Sequence, residues 1–183
     1  MSQLQMLARD VGVNERTLRR AVTQGTLRAS RPSPRKIEIP LAESQYVRRS
    51  WPIIAGLRAT LRTEPNVRFA LLFGSCALGT DGPNSDLDVL VALRDSDLPH
   101  VIDLKTRLTD LLGRQVDLVL IDQAKQEPSF LAQALEEGRV LVDRDHLWPA
   151  LRAQRGRLRR RGANGDAQRI LDALAGIDRL LGR

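Results

Sequence analysis

Two aspartates, Asp86 and Asp88, stand at the mouth of the apolar run "SDLDVLVAL". Side chains alternate faces along a strand, so the pair projects from one face while Leu87, Val89 and Val91 line the other. Carboxylates at the start of a buried strand are costly unless paired or metal-bound. A third carboxylate, Asp117, sits near the start of another apolar run, "RQVDLVLID". If that run lies beside the first, three carboxylates meet at one sheet edge. Hard divalent cations with oxygen ligands answer such a cluster, Mg²⁺ first. Upstream, "VRFALLFGS" ends in Gly74-Ser75. A glycine at a strand end lets the backbone approach a phosphate closely. Ser75 adds a hydroxyl, and nearby N–H groups can form an anion-binding turn. A phosphate cradle beside metal-binding carboxylates is equipment for transfer to or from a nucleoside triphosphate.

The spacing is Gly74-Ser75, ten residues, Asp86-Leu87-Asp88, then Asp117 on a later strand. It resembles the signature of polymerase-β-type nucleotidyltransferases. The run "GSCALGTDGPNSDLD" and the short chain are similar to the minimal nucleotidyltransferases, or MNT domains, over roughly residues 57–145. "PSFLAQALEEGRVLVDRD" resembles the helix and short strand that end that domain. The resemblance implies that Asp86, Asp88 and Asp117 are catalytic and bind Mg²⁺, with two ions possible. It implies that Asp117 shares one metal and helps activate the acceptor hydroxyl, and that Gly74 and Ser75 hold the triphosphate of ATP or another NTP. Many family members carry arginines where this chain has Cys76 and Leu78, which implies weaker triphosphate affinity or rate. It further implies transfer of NMP, AMP in the first instance, to a macromolecular hydroxyl, as in antitoxins that modify a HEPN-type toxin and repress their own promoter. The alternative is a transcriptional regulator whose nucleotidyltransferase-like domain only senses nucleotide or binds a partner.

The elements that must position these groups are α+β. Strands at 67–75, 85–93 and 114–122 surround a helix over 97–113, whose apolar side is Leu98, Val101, Ile102, Leu104, Leu108, Leu111 and Leu112. A nucleotidyltransferase-fold mixed sheet flanked by helices is expected at 66–145. Cys76 reads as a small buried residue, and His100 and His146 as surface or helix-end residues. Asp81, Asp95, Asp97, Asp103, Asp110 and Asp122 read as turn or solvated helix positions.

Residues 1–50 read as a separate module. Leu4, Leu7, Ala8 and Val11 keep helical spacing, Gly12 can end that helix, and Asn14 can cap a second. Val13 and Leu18 could form a hydrophobic staple, and Gly25 a stop. Short strands at 27–30 and 36–39 would flank "RPSPR" as a basic wing. Together these resemble the winged helix-turn-helix of the MerR and excisionase type. Arg16, Thr17, Arg19 and Arg20 on the second helix and Arg31, Arg35 and Lys36 at the wing are the expected DNA contacts. A linker helix at 51–65 follows, with a break expected near Pro52. The segment 146–183 is expected to form a basic helix, a break at "GANGD" and a last amphipathic helix carrying Ile170, Leu174, Ile177 and Leu181. That helix could pack on its own domain, form a homodimer seam or meet a partner, and a homodimer is expected. The basic run 155–161 fits a polyanion, an acidic partner or a solvated face.

The net charge of +7 is unevenly spread: +6 over residues 1–50, −5 over 51–145 and +6 over 146–183. An acidic middle between basic ends suggests separate roles, with polyanion contact at the ends. A single cysteine excludes an intrachain disulfide and a cysteine zinc cluster. No apolar run reaches the roughly 18–20 residues that span a bilayer, and the N-terminus lacks the basic-then-apolar pattern of a secretion signal. No membrane contact and a cytoplasmic location are the expectations.

Overall fold

The computed structural model describes residues 2–33 and 36–180, with side chains described through residue 166. Arg35 and the amphipathic stripe expected after residue 166 lie outside these.

The N-terminal helices follow their local signals. Helix α1 (Gln3–Asp10) starts on a capping box formed by Ser2 and Gln5. Helix α2 (Glu15–Gln24) is capped by Asn14, whose side chain accepts from the Thr17 N–H at 2.8 Å, and ends at Gly25 in the left-handed region. Leu4, Leu7, Ala8, Leu18 and Ala21 are buried between them. Strands β1 (Ser30–Ser33) and β2 (Lys36–Glu38) pair antiparallel. The first strand lies three residues later than the spacing suggested, because the preceding segment is committed elsewhere. The Thr26 hydroxyl donates to the Val140 carbonyl at 2.6 Å, and the Arg28 N–H donates to Glu43 at 3.0 Å.

Helix α3 (Leu41–Thr63) runs unbroken through Pro52. The expected break is absent because Pro52 lies on the exposed side, where water can hydrate the carbonyl that loses its partner. The opposite stripe, Val47, Trp51, Ile54, Leu57 and Leu61, is buried. One continuous apolar cluster contains Leu4 and Leu18 from the helix pair, this stripe, and Val89, Leu104 and Val116 from the sheet and its cover.

The second sheet holds β3 (Val67–Phe73), β4 (Leu87–Leu93), β5 (Val116–Leu120) and β6 (Arg139–Asp143) in the order β5-β4-β3-β6. Strand β3 is antiparallel to β4 and β6, while β4 and β5 are parallel. Parallel pairing needs a long crossover, which α5 (Leu98–Leu112) supplies. Alternation then sorts the side chains. Ala70, Leu72, Leu87, Val89 and Val91 face α3 and α5, while Phe69, Leu71, Phe73 and Leu90 face α7 (Pro128–Glu137) and α8 (Leu147–Leu180). The two short helices are α4 (Gly74–Leu78) and α6 (Ile121–Ala124).

Two further expectations change. Helix α5 buries only Leu104 and Leu108, with Leu112 packed close to Gly56; Leu98, Ile102 and Leu111 stay exposed. A single crossing against α3 covers a narrower stripe than the sequence offers. Helix α8 continues through "GANGD". A side-chain carbon at Gly162 would meet the Ser129 backbone nitrogen at 2.7 Å, so this glycine lets α7 and α8 touch rather than ending the helix. Ser129 also donates to Asp166 at 2.8 Å across the same contact.

Candidate functional site

Register sets two of the three aspartates side by side. Asp88 lies beside Phe73 of β3 on one side and Asp117 of β5 on the other. Asp88 shares its face with Leu90, and Asp117 shares its face with Val119, both on the α7–α8 side of the sheet. Asp86 precedes β4 by one residue and is exposed. Asp88 is half-buried, and its carboxyl is pushed above the usual range by burial first, then by the negative charges of Asp117 and Asp86.

Gly74 is fitted to this carboxylate. Its φ is +68°, in the region that favours glycine, and a side-chain carbon there would lie 2.3 Å from the Asp88 Oδ2. The Gly-Ser turn expected at this point opens the short helix α4, with Ser75 at its second position and Gly79 ending it in the left-handed region. The sequence placed Gly74-Ser75 at a strand end, and the structure adds a tight backbone approach to Asp88.

Asp117 accepts from the Lys105 ammonium of α5 at 2.9 Å. As a set, Asp86, Asp88 and Asp117 are not drawn within 4.8 Å of one another; among the described residues that closeness occurs at Asp95, Asp97 and His100. This second group is exposed and caps α5, with Asp97 accepting from the His100 N–H at 3.1 Å and from its ring. Asp86, Asp88 and Asp117 offer only hard oxygen donors, and their mutual repulsion is of the kind a divalent cation relieves, so they fit Mg²⁺.

Two ion-pair centres escaped sequence reasoning. Asp81, read as a turn residue, accepts from Arg49 at 2.8 Å and Arg114 at 3.1 Å, and its side chain is only 10% exposed. Arg114 also donates to the Ser85 carbonyl, fixing the loop just before Asp86. Glu43 holds the fully buried Arg139, with Nη2 to Oε2 at 2.9 Å. The Arg139 Nε donates to the Ala77 carbonyl of α4 at 2.6 Å, and its guanidinium lies 3.6 Å above the Tyr46 ring. The partners are separated by 32 to 96 residues, so no local pattern signals them. Cys76 is buried, and burial pushes its thiol up to about 11, as befits a packing residue.

The expected DNA contacts are laid out as follows. Arg16, Arg19 and Arg20 are exposed on α2, and Arg19 pairs with Glu15. Thr17 is half-buried, its hydroxyl donating to Asn14 at 3.0 Å. Arg31 donates to Thr23 at 2.6 Å, and Lys36 pairs with Glu38 at 2.6 Å.

A mixed sheet with a Gly-Ser helix after one strand and an acidic pair opening the next is the layout of a nucleotidyltransferase domain. The chain belongs to the polymerase β nucleotidyltransferase family, whose model matches residues 56–147, half of the chain. None of the curated proteins matches it. Among solved structures, a chain from a toxin–antitoxin crystal structure with AMP-PNP is 24% identical with a TM-score of 0.54, covering 67% of this chain and 98% of its own length. A chain from the MntA–HepT toxin–antitoxin is 21% identical with a TM-score of 0.51, covering 68% and 98%. A chain from the tri-AMPylated Shewanella oneidensis HEPN toxin in complex with MNT antitoxin is 20% identical with a TM-score of 0.52, covering 69% and 98%. At these identities the likeness establishes a shared fold. No helix among the described residues is long and apolar enough to cross a membrane.

Proposed function

We propose that this chain is a Mg²⁺-dependent nucleotidyltransferase that moves AMP from ATP onto a hydroxyl of a HEPN-type toxin partner. The observation that carries the reading is the register of Asp88 beside Asp117, on one face, under the backbone of Gly74. Family membership and the solved toxin–antitoxin structures of like fold support it. In this reading Asp86 and Asp88 hold metal and orient the triphosphate, and Gly74-Ser75 cradle the phosphates. Asp117 faces the incoming hydroxyl and accepts its proton as that oxygen bonds to the α-phosphorus of ATP and the α–β phosphoanhydride bond breaks, releasing pyrophosphate. A cation held there would supply charge neutralisation at the triphosphate and would lower the pKa of the attacking hydroxyl. Residues 66–145 carry the chemistry. Residues 1–50 bind DNA through α2 and the β1–β2 hairpin as an autoregulatory module, 51–65 link the two, and 146–183 serve partner or self-association.

The test is transfer of label from α-³²P-ATP to a purified HEPN-domain partner. Asp86→Asn and Asp88→Asn are expected to abolish transfer with the fold retained. Wild-type transfer by both variants would refute the assignment. A second reading, a DNA-binding regulator that only senses nucleotide, is favoured by the Lys105 ammonium on Asp117, which neutralises that carboxylate without metal. It expects ATP binding without transfer by the wild-type chain.

A further inference from the structure

Buried arginines in this fold are treated in two different ways. Arg139 has the carboxylate of Glu43. Arg58, 7% exposed, has none. Its bonds go to neutral acceptors: the Thr26 hydroxyl, the Val140 carbonyl at 3.1 Å and the Gln24 side-chain oxygen at 2.5 Å. Two of its five N–H groups, one on Nη2 and that on Nε, keep no protein acceptor among the described residues. Arg62, one helical turn along α3, reaches the same Gln24 oxygen at 3.4 Å. Burial and the neighbouring Arg62 charge together push the Arg58 guanidinium down to about 10. A buried charge beside a like charge is costly, and an anion between the two would offset that cost.

The structure leaves room for that anion. A cavity of about 410 Å³ between α2 and α3 is lined by Arg20, Arg58 and Arg62, with Trp51 among its apolar residues. A second cavity, of about 480 Å³, shares Gln24 and Arg62 and continues along β6 to Arg144, His146 and Trp148. The one carboxylate lining either cavity is Asp143. Its two oxygens accept from the Leu147 and Trp148 N–H groups at 2.8 and 3.1 Å, so it caps α8. Among the described residues no carboxylate lies within ion-pair distance of Arg20, Arg58, Arg62 or Arg144. Either cavity alone lies within the size range of small-ligand sites. Guanidinium forks match phosphate oxygens, and the indole faces suit a base.

We propose that this seam between the N-terminal helix pair and the nucleotidyltransferase sheet is a second nucleotide site, with phosphates against Arg58, Arg62 and Arg144 and the base beside Trp148. It shares no residue with the Asp86, Asp88 and Asp117 face. It borders Thr17 and Arg20 of α2, so its occupancy reaches the helix assigned above to DNA.

The chain's two tryptophans, Trp51 and Trp148, both line the seam, so intrinsic fluorescence reports on it directly. The full chain is titrated with ATP in EDTA, which deprives the carboxylate face of metal. A saturable fluorescence change is expected, kept in Asp86→Asn and weakened at least tenfold in the double variant Arg62→Ala/Arg144→Ala. Both arginines are exposed, but Arg144 also donates to the Arg62 and Glu64 carbonyls at 2.7 and 3.1 Å, so circular dichroism checks the fold of the double variant and the single variant Arg62→Ala, expected to weaken the response several-fold, is titrated beside it. In Trp148→Phe most of the signal is expected to vanish. Inorganic phosphate is expected to compete only at much higher concentration. Equal competition by phosphate would overturn the assignment of the base. A response that is absent, or indifferent to the arginine pair, would overturn the site. Displacement of ATP by duplex DNA in proportion to its phosphate content would make the seam a backbone contact and likewise overturn it.

Discussion

Asp88 carries the electrostatic cost of the site. Its raised pKa means that the folded state binds the proton more tightly than the unfolded chain does. The stability attached to Asp88 is therefore present below the normal carboxylate pKa and lost as pH rises through the elevated value. At pH 7 in EDTA, Asp88→Asn is expected to melt at or above the wild-type temperature, and that advantage should shrink as pH falls through the carboxylate range. With Mg²⁺ the order should reverse, because only the wild type binds the ion. Melting curves at several pH values, with and without metal, decide it. Gly74→Ala acts from the other side. The left-handed conformation costs a side chain roughly 1–2 kcal/mol, and the added carbon would sit 2.3 Å from the Asp88 Oδ2. Lower stability together with near-complete loss of transfer is expected. Asp117→Asn should instead keep most Mg²⁺–ATP affinity by calorimetry while slowing transfer on the order of 10²-fold. Equal losses of binding and rate would make it a general metal ligand.

At the scale of elements, two glycines three residues apart on α8 should answer alanine with opposite signs. Intrinsic helix propensity favours alanine by about 1 kcal/mol at either position. At Gly165 nothing lies within 4 Å of the added carbon, so Gly165→Ala should gain about that amount. At Gly162 the carbon would meet the Ser129 backbone, which cannot swing aside as a side chain could. Overpacking of this kind costs about 1–3 kcal/mol, so Gly162→Ala should destabilise by prising α7 from α8. Urea unfolding of the two variants side by side checks both signs. Stabilisation by both would mean that α7 and α8 do not touch at Ser129.

For the whole molecule, the N-terminal helices are part of the core that supports the sheet. Glu43 on α3, Thr26 after α2 and Ala77 on α4 all converge on Arg139 of β6. Glu43→Ala would strand a buried guanidinium, and breaking one side of such a pair costs about 3–5 kcal/mol. Since Arg139 also holds the Ala77 carbonyl, nucleotide affinity at Gly74-Ser75 is expected to fall with it. For the same reason a fragment covering 57–183 is expected to aggregate or unfold rather than survive as a free catalytic unit. It would lose Glu43, Thr26 and the apolar stripe up to Ile54 in one cut. Limited proteolysis of the intact chain should find no stable product that begins near residue 57.

Local chemistry wrote most of this molecule. Asn14 as a cap, Gly25 as a stop, the alternation of β3 and β4, and the pairing of Gly74-Ser75 with Asp86 and Asp88 are all short-range signals, so they can be read from the residues in order. Whether Asp117 joins its counterparts was a question of register, since one residue of slip would turn it to the opposite face. The β4–β5 pairing sets Asp117 beside Asp88 on the same face. Proline and glycine misled where their meaning depends on what lies opposite. Pro52 is tolerated because its side of α3 faces water, and Gly162 serves contact because Ser129 presses on it. Arg139 with Glu43, Asp81 between Arg49 and Arg114, and Arg58 without a carboxylate were beyond the reach of the sequence. Each brings together groups tens of residues apart, and only the closing of α3 over the sheet decides which charges share a dielectric.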